Sequence, residues 1–130
     1  LNTGHDGSLS TGHANSPKDM ISRLETMVLM GMDLPLPAIE RQIASGLDII
    51  VHLGRLRDKS RKVLEVTEVL GYWDGQIHLQ TIYRYEEICK EDENVTENEK
   101  KDQENKVHGE WKKIAELFHR EKLVAAGYYI

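Results

Sequence analysis

The sequence predicts an α/β fold in which two helices precede an antiparallel β-meander and a C-terminal helix. Three observations support this prediction. Apolar residues repeat at helical spacing from Met20 to Leu47, alternating side chains replace that pattern from Asp48 to Tyr85, and short turn signals divide the alternating part. With 130 residues, of which 39% are hydrophobic, the chain has room for one domain and a modest core.

The first helix is predicted to begin after Ser16 and to end near Gly31. Ser16 suits the N-cap, Pro17 the first turn, and Asp19 the positive end of the helix dipole. Its apolar stripe consists of Met20, Leu24, Met27 and Val28. A second, shorter helix is predicted from Pro37 to Gly46, with a stripe of Ile39, Ile43 and Leu47.

Three successive strands are predicted after the helices, at residues 48–56, 62–70 and 77–85. Short turn signals separate them, at Arg57–Ser60 and at Asp74-Gly75. Strands joined by such short turns form an antiparallel meander. The first stretch is apolar on both faces at its start, which predicts burial on both sides of the sheet.

The C-terminal part divides into an acidic run and a second ordered stretch. Residues 86–106 carry nine acidic and four basic side chains, which accounts for the whole net charge of −5. We therefore expect residues 1–86 to be the main body, 87–105 a mobile acidic insert, and 106–130 a C-terminal strand and helix. The strand is predicted at 107–114 and the helix at 117–126, ending at Gly127. Three of its side chains are expected to face the sheet: Leu117, Leu123 and Val124.

Composition excludes some classes of protein. A single cysteine, Cys89, excludes an internal disulfide and favours a cytosolic origin. No apolar run approaches the ~20 residues of a membrane-spanning helix. Because the body is electrically balanced and the insert acidic, nucleic acid is not expected as a partner.

The first sixteen residues combine two histidines with glycines and hydroxyl side chains. His5 and His13 bracket this run, and residues 8–14 read as a short strand that ends near His13. In an open α/β sheet, ligands bind at such strand ends. The two imidazoles are therefore the leading candidates for a site.

These residues carry a resemblance to a known family. Thr3-Gly4-His5 followed by the run Ser10 to Ser16, Ser-Thr-Gly-His-Ala-Asn-Ser, resembles the His box of the secretion ATPase superfamily. The similarity continues through Pro17–Met20, Ser22–Met27, Arg41–Ser45, Asp48–Leu53 and Arg55–Asp58, over about two thirds of the chain. The eight-residue step from His5 to His13 is similar to that of the Tad/Flp pilus-assembly and conjugative branches.

The resemblance implies the C-terminal part of a RecA-like P-loop ATPase domain that begins at the His box. It implies a cytoplasmic ring hexamer at the inner face of the cell membrane, coupling ATP hydrolysis to Tad/Flp pilus assembly or to type II/IV protein secretion. Implied partners are copies of the protein itself and the secretion or pilus platform proteins of the inner membrane. ATP and Mg would be the cofactors of the full-length protein.

The same resemblance implies site residues. His5 and His13 would be catalytic, and Thr3, Gly4 and Arg23 would lie near bound nucleotide; no metal ligand is implied among them. The sequence contains no GxxxxGK[ST] motif, so the chain lacks a phosphate-binding loop. We therefore expect it to be a C-terminal fragment that neither hydrolyses ATP nor binds it tightly by itself, and that forms a dimer or a swapped oligomer.

Alternatives remain open at this point. Arg23 could simply be a surface side chain paired with Asp19 or Glu25. A metal could bind His5 and His13 with Asp6 or His52, although no ligand spacing typical of metal sites is present. Five cations between residues 55 and 62 could bind nucleic acid: Arg55, Arg57, Lys59, Arg61 and Lys62. The chain could also be a non-catalytic oligomerisation or interaction module of the secretion machinery.

Overall fold

A computed structural model describes residues 7–88 and 106–129 of the chain. The predicted acidic insert falls mostly at 89–105, outside these residues, whereas Glu87 belongs to a strand. The elements are the helices α1 (Pro17–Gly31) and α2 (Leu36–Gly46), the strands β1 (Ile49–Arg55), β2 (Arg61–Trp73), β3 (Gln76–Glu87) and β4 (Gly109–Lys113), and the short helix α3 (Glu121–Ala125). This order confirms the predicted fold class of two helices, an antiparallel sheet and a C-terminal helix.

Helix α1 begins and ends as its sequence predicts. The Ser16 hydroxyl accepts a hydrogen bond from the backbone N–H of Asp19 at 3.0 Å, and Pro17 occupies the first turn. This side-chain cap satisfies one of the backbone donors that the start of a helix leaves without a partner. Gly31 is the last helical residue.

The strands of the described residues form one sheet in the order β1-β2-β3-β4, with every neighbouring pair antiparallel. Short turns join β1 to β2 and β2 to β3, so these strands are neighbours both in sequence and in the sheet. At the β2–β3 turn, Asp74 (φ 52°) and Gly75 (φ 74°) both adopt the left-handed conformation of a two-residue hairpin. This confirms the predicted meander.

The core lies between the two helices and one face of the sheet. Ile21 of α1 and Ile39 and Ile43 of α2 form its buried centre. Partly buried apolar side chains pack around them: Leu24, Val28, Leu34, Leu47, Ile50, Ile77 and Leu79. None of the helices within 7–88 and 106–129 has the length and apolar content needed to cross a bilayer.

The prediction that β1 is buried on both faces is wrong. Ile50 and His52 face the helices and are half-buried, whereas Ile49, Val51 and Leu53 are 41, 50 and 65% exposed. The reason is topological, because α1 and α2 cover only one face of the sheet and β1 is its edge strand. An apolar strand therefore presents one bare side.

The C-terminal segment crosses the sheet face opposite the helices. Both oxygens of the buried Glu68 carboxylate accept backbone N–H groups of this segment, from Phe118 and His119, each at 2.8 Å. The predicted long helix is wrong in extent: only Glu121–Ala125 is helical, before Gly127 at φ 87°. Leu123 and Val124 are 36 and 60% exposed and do not pack as predicted, because this segment is attached mainly through polar contacts.

Candidate functional site

The segment before α1 places His13 beside the helix. Residues 7–14 have no regular secondary structure, so the predicted strand at 8–14 is wrong. A strand needs a neighbouring strand for its backbone hydrogen bonds, and nothing in the described part of the chain pairs with this segment. Instead, the segment lies against α1: a Cβ atom at Gly12 would overlap the end of the Met20 side chain, which would have to shift to make room for it.

An open groove of about 410 Å³ lies between this segment and α1. Its lining residues are Thr11, Gly12, His13, Met20, Ser22, Arg23, Thr26 and Met27. All of them except Met20 are exposed. The groove thus combines an imidazole, a guanidinium and the hydroxyls of Thr11 and Ser22 on an accessible surface, which are donors suited to an anionic ligand.

Asp19 connects the two sides of the groove. One of its oxygens, Oδ2, accepts the backbone N–H of Asn15 at 2.9 Å and the Arg23 Nε–H at 3.0 Å. The Asn15 hydrogen bond, together with the smaller effect of Arg23, holds the pKa of Asp19 below its usual range. The ionised carboxylate therefore fixes both the chain just after His13 and the guanidinium.

The Asp19 contact supports one reading of Arg23 without excluding the other. Arg23 pairs with Asp19, as the surface interpretation predicts, and its side chain is 53% exposed. It also lines the groove next to His13, as the functional interpretation requires. Because a guanidinium has five N–H donors, a bond through Nε leaves the others available for a ligand.

His13 and Arg23 line the same groove, and the other predicted site residues lie outside the described residues. Thr3, Gly4 and His5 belong to that part of the chain, as does Asp6 of the metal alternative. In residues 7–88 and 106–129, no three His, Cys, Asp or Glu side chains converge to form a metal site. His52 is half-buried on the helix-facing side of β1.

The sequence analysis did not identify Ser22 and Thr26 as residues that line the groove. Ser22 and Thr26 line it from α1 and are linked by a hydrogen bond from the Thr26 hydroxyl to the Ser22 carbonyl at 3.0 Å. A signal existed, since residues 19, 22, 23 and 26 are spaced three or four apart and share one side of a helix. That spacing does not reveal that Asp19 accepts hydrogen bonds from both the Asn15 backbone and the Arg23 side chain.

The described residues thus form two helices and an antiparallel sheet, and the segment that contains His13 precedes the first helix. The chain belongs to the type II/IV secretion system protein family, whose model matches residues 1–121. Two Mycobacterium tuberculosis proteins, from strains CDC 1551 / Oshkosh and H37Rv, are each 30% identical to it over 92 residues. Their names describe them as conjugal transfer proteins. The match covers 71% of this chain and 26% of each relative, so the chain spans about a quarter of their length.

Proposed function

We propose that this chain forms the His-box end of a secretion ATPase, in which His13 and Arg23 contact the anionic part of a bound nucleotide. The observation that supports the proposal is the groove that both side chains line. The family match to residues 1–121 supports the general ATPase role. The finer assignments, a hexameric ring and Tad/Flp pilus assembly or type II/IV secretion, rest on the resemblance of the His box.

The donors of the groove suit the oxygens of a phosphate group. ATP with Mg would supply the phosphoryl group that is transferred, and the loop that holds phosphates is absent from these 130 residues. His13, as a neutral imidazole or an imidazolium, would donate a hydrogen bond to phosphate oxygens as charge develops there. Arg23 would add a second donor in an orientation set by Asp19.

Partners and location follow the same proposal. Copies of the protein would form the ring, and platform proteins of the inner membrane would bind it on the cytoplasmic side.

A non-catalytic interaction module is the second candidate function. The bare apolar side of β1 favours it, because such a strand is suited to contact another chain.

The test compares ATP turnover by a full-length secretion ATPase that contains this sequence with that of its His13→Ala variant. We expect turnover to fall about tenfold or more while ATP binding is retained, because the lost contact acts during the reaction. His108→Ala is the matched control, since His108 is exposed outside the groove and should leave turnover unchanged.

Two results would contradict the proposal. Unchanged turnover in His13→Ala would reduce the groove to a structural feature. ATP hydrolysis by the 130-residue chain alone would also contradict it, because the proposal assigns phosphate binding to a loop that these residues do not contain.

A further inference from the structure

Asp19 makes a contact that differs from the usual one for an acidic residue at the start of a helix. It is the third residue after the N-cap Ser16, and in a capping box the side chain at this position accepts the backbone N–H of the N-cap residue itself. Here Oδ2 accepts the N–H of Asn15, one residue further out, at 2.9 Å. The carboxylate therefore holds the chain that precedes the helix.

His13 lies between two fixed points of that preceding segment. On one side, Gly12 lies against the side chain of Met20, the residue that follows Asp19 on α1. On the other side, Asn15 is held by the Asp19 carboxylate. The position of the His13 backbone beside the helix thus depends on contacts with residues 19 and 20 of α1.

The same carboxylate oxygen also holds Arg23. Oδ2 accepts the Arg23 Nε–H at 3.0 Å, one helical turn further along α1. The side chains of Arg23 and Asp19 are 53 and 33% exposed, and ion pairs at such exposed positions stabilise a fold little. The main effect of this pair is to orient the guanidinium, whose other N–H donors are available to a ligand in the groove.

We propose that Asp19 is the positioning residue of the groove and couples His13 to Arg23, so that the two donors act on an anionic ligand as one unit. The Asn15 N–H and the Arg23 Nε–H share one oxygen, so a shift of the carboxylate toward one donor changes its distance to the other. Asp19 would itself repel an anion, so it acts only through these two donors. This inference rests on the function proposed above, because it concerns the same anionic part of the nucleotide.

Double-mutant cycles on turnover test the coupling. In a full-length secretion ATPase that contains this sequence, Asp19→Asn removes the charge that orients the guanidinium. It should lower kcat about tenfold and change KM less than about threefold. In an Arg23→Ala background, Asp19→Asn should lower kcat by less than about threefold, because only the route through Asn15 and His13 remains. A purely structural role for Asp19 predicts the same factor in both backgrounds.

Ser16→Ala is the matched control for the helix start. It removes the N-cap hydrogen bond to the Asp19 N–H and weakens the same end of α1, while the carboxylate is retained. It should lower the melting temperature, and its effect on kcat should be the same with and without Arg23. Asp33→Asn makes the identical chemical change at an exposed carboxylate outside the groove and should leave kcat and KM unchanged.

Either of two results would overturn the coupling. One is wild-type kcat in Asp19→Asn when His13→Ala does lower turnover, which would leave the proposed function intact and remove only the role of Asp19. The other is an equal loss from Asp19→Asn with and without Arg23. Unchanged turnover in His13→Ala would instead contradict the proposed function, and the coupling with it.

Discussion

Single carboxylates hold distant parts of this chain together, and Asp58 is the clearest case. Its Oδ1 accepts the Ser60 hydroxyl at 2.6 Å and the Ser60 N–H at 2.9 Å, while Oδ2 accepts the Val107 N–H at 2.9 Å. These hydrogen bonds, the Ser60 hydroxyl first, lower the pKa of Asp58 to about 2. One side chain thus shapes the β1–β2 turn and fixes the start of the segment leading into β4.

The lowered pKa predicts a pH dependence for Asp58→Asn. A carboxylate with a depressed folded-state pKa contributes stability above its unfolded value of about 3.9, and this contribution is lost as the pH falls toward 2. Asp58→Asn should therefore unfold at lower urea concentration than wild type at pH 7, and the difference should shrink between pH 4 and pH 2. Urea unfolding followed by circular dichroism measures both curves.

Ser60→Ala provides the second arm of this experiment. It removes the largest cause of the shift, so the pKa of Asp58 should rise and the acid transition should begin at higher pH. A gap between wild type and Asp58→Asn that stays constant from pH 7 to pH 3 would contradict this account.

At the scale of elements, polar contacts attach the C-terminal segment to the sheet. Glu68 is 1% exposed and accepts two backbone N–H groups, and the His119 ring nitrogen Nε2 lies 2.8 Å from the Leu70 carbonyl. The Gln80 side chain donates to the Glu116 carbonyl at 3.2 Å. Because Phe118 remains 68% exposed, apolar burial contributes little to this attachment.

Glu68→Gln should loosen the segment specifically. A carboxamide has one acceptor oxygen, so one of the two N–H groups would face an NH₂ group and lose its partner. We expect a loss of about 1–3 kcal/mol in the free energy of unfolding, with faster amide hydrogen exchange at Phe118 and His119. Glu110→Gln, at an exposed position of β4, is the control and should change stability by less than about 0.5 kcal/mol. Wild-type exchange rates in Glu68→Gln would refute the role of this carboxylate.

Local patterns predicted the elements, and the tertiary arrangement decided the rest. The Ser16 cap, the Asp74-Gly75 turn and the alternation of β2 and β3 depend on near neighbours and were read correctly. Val51 was expected to be buried because an apolar strand does not reveal whether one layer or two will cover it. Similarly, Leu123 and Val124 have helical spacing, but nothing local shows that Glu68, some fifty residues earlier, determines how their segment attaches.

The candidate site was predicted in its residue types and missed in its organisation. His13 and Arg23 follow from the His box, whereas their common anchor, Asp19, was recognised only as a helix-start residue and a possible ion-pair partner. The carboxylate joins the Asn15 backbone to the Arg23 side chain, and such a junction requires the path of the chain before α1. The roles of Thr3, Gly4 and His5 stay predictions.

At the scale of the whole molecule, stability depends on the core between the helices and the sheet. Its most buried side chain is Ile39, at 1% exposure, between α1 and the sheet. A domain of this size has a total stability of roughly 5–15 kcal/mol. Each buried isoleucine therefore represents a large fraction of it.

Ile39→Ala should cost about 2–5 kcal/mol, because it removes buried apolar surface and leaves a cavity. Leu29→Ala is the matched control: Leu29 is 45% exposed on α1, and its truncation should have a much smaller effect. Thermal unfolding followed by circular dichroism compares the two variants. Equal melting temperatures for Ile39→Ala and Leu29→Ala would mean that the helices do not form the core described above.

The Glu68 contacts also impose an order of assembly. The turns of the meander join strands that are adjacent in sequence, whereas the hydrogen bonds from Phe118 and His119 to Glu68 span 50 and 51 residues. Loop-closure entropy grows with the length of the loop, so the hairpins form before the long-range contacts. On the ribosome, β1 to β3 are made first, and we expect the Glu68 carboxylate to remain hydrated until Phe118 and His119 have emerged.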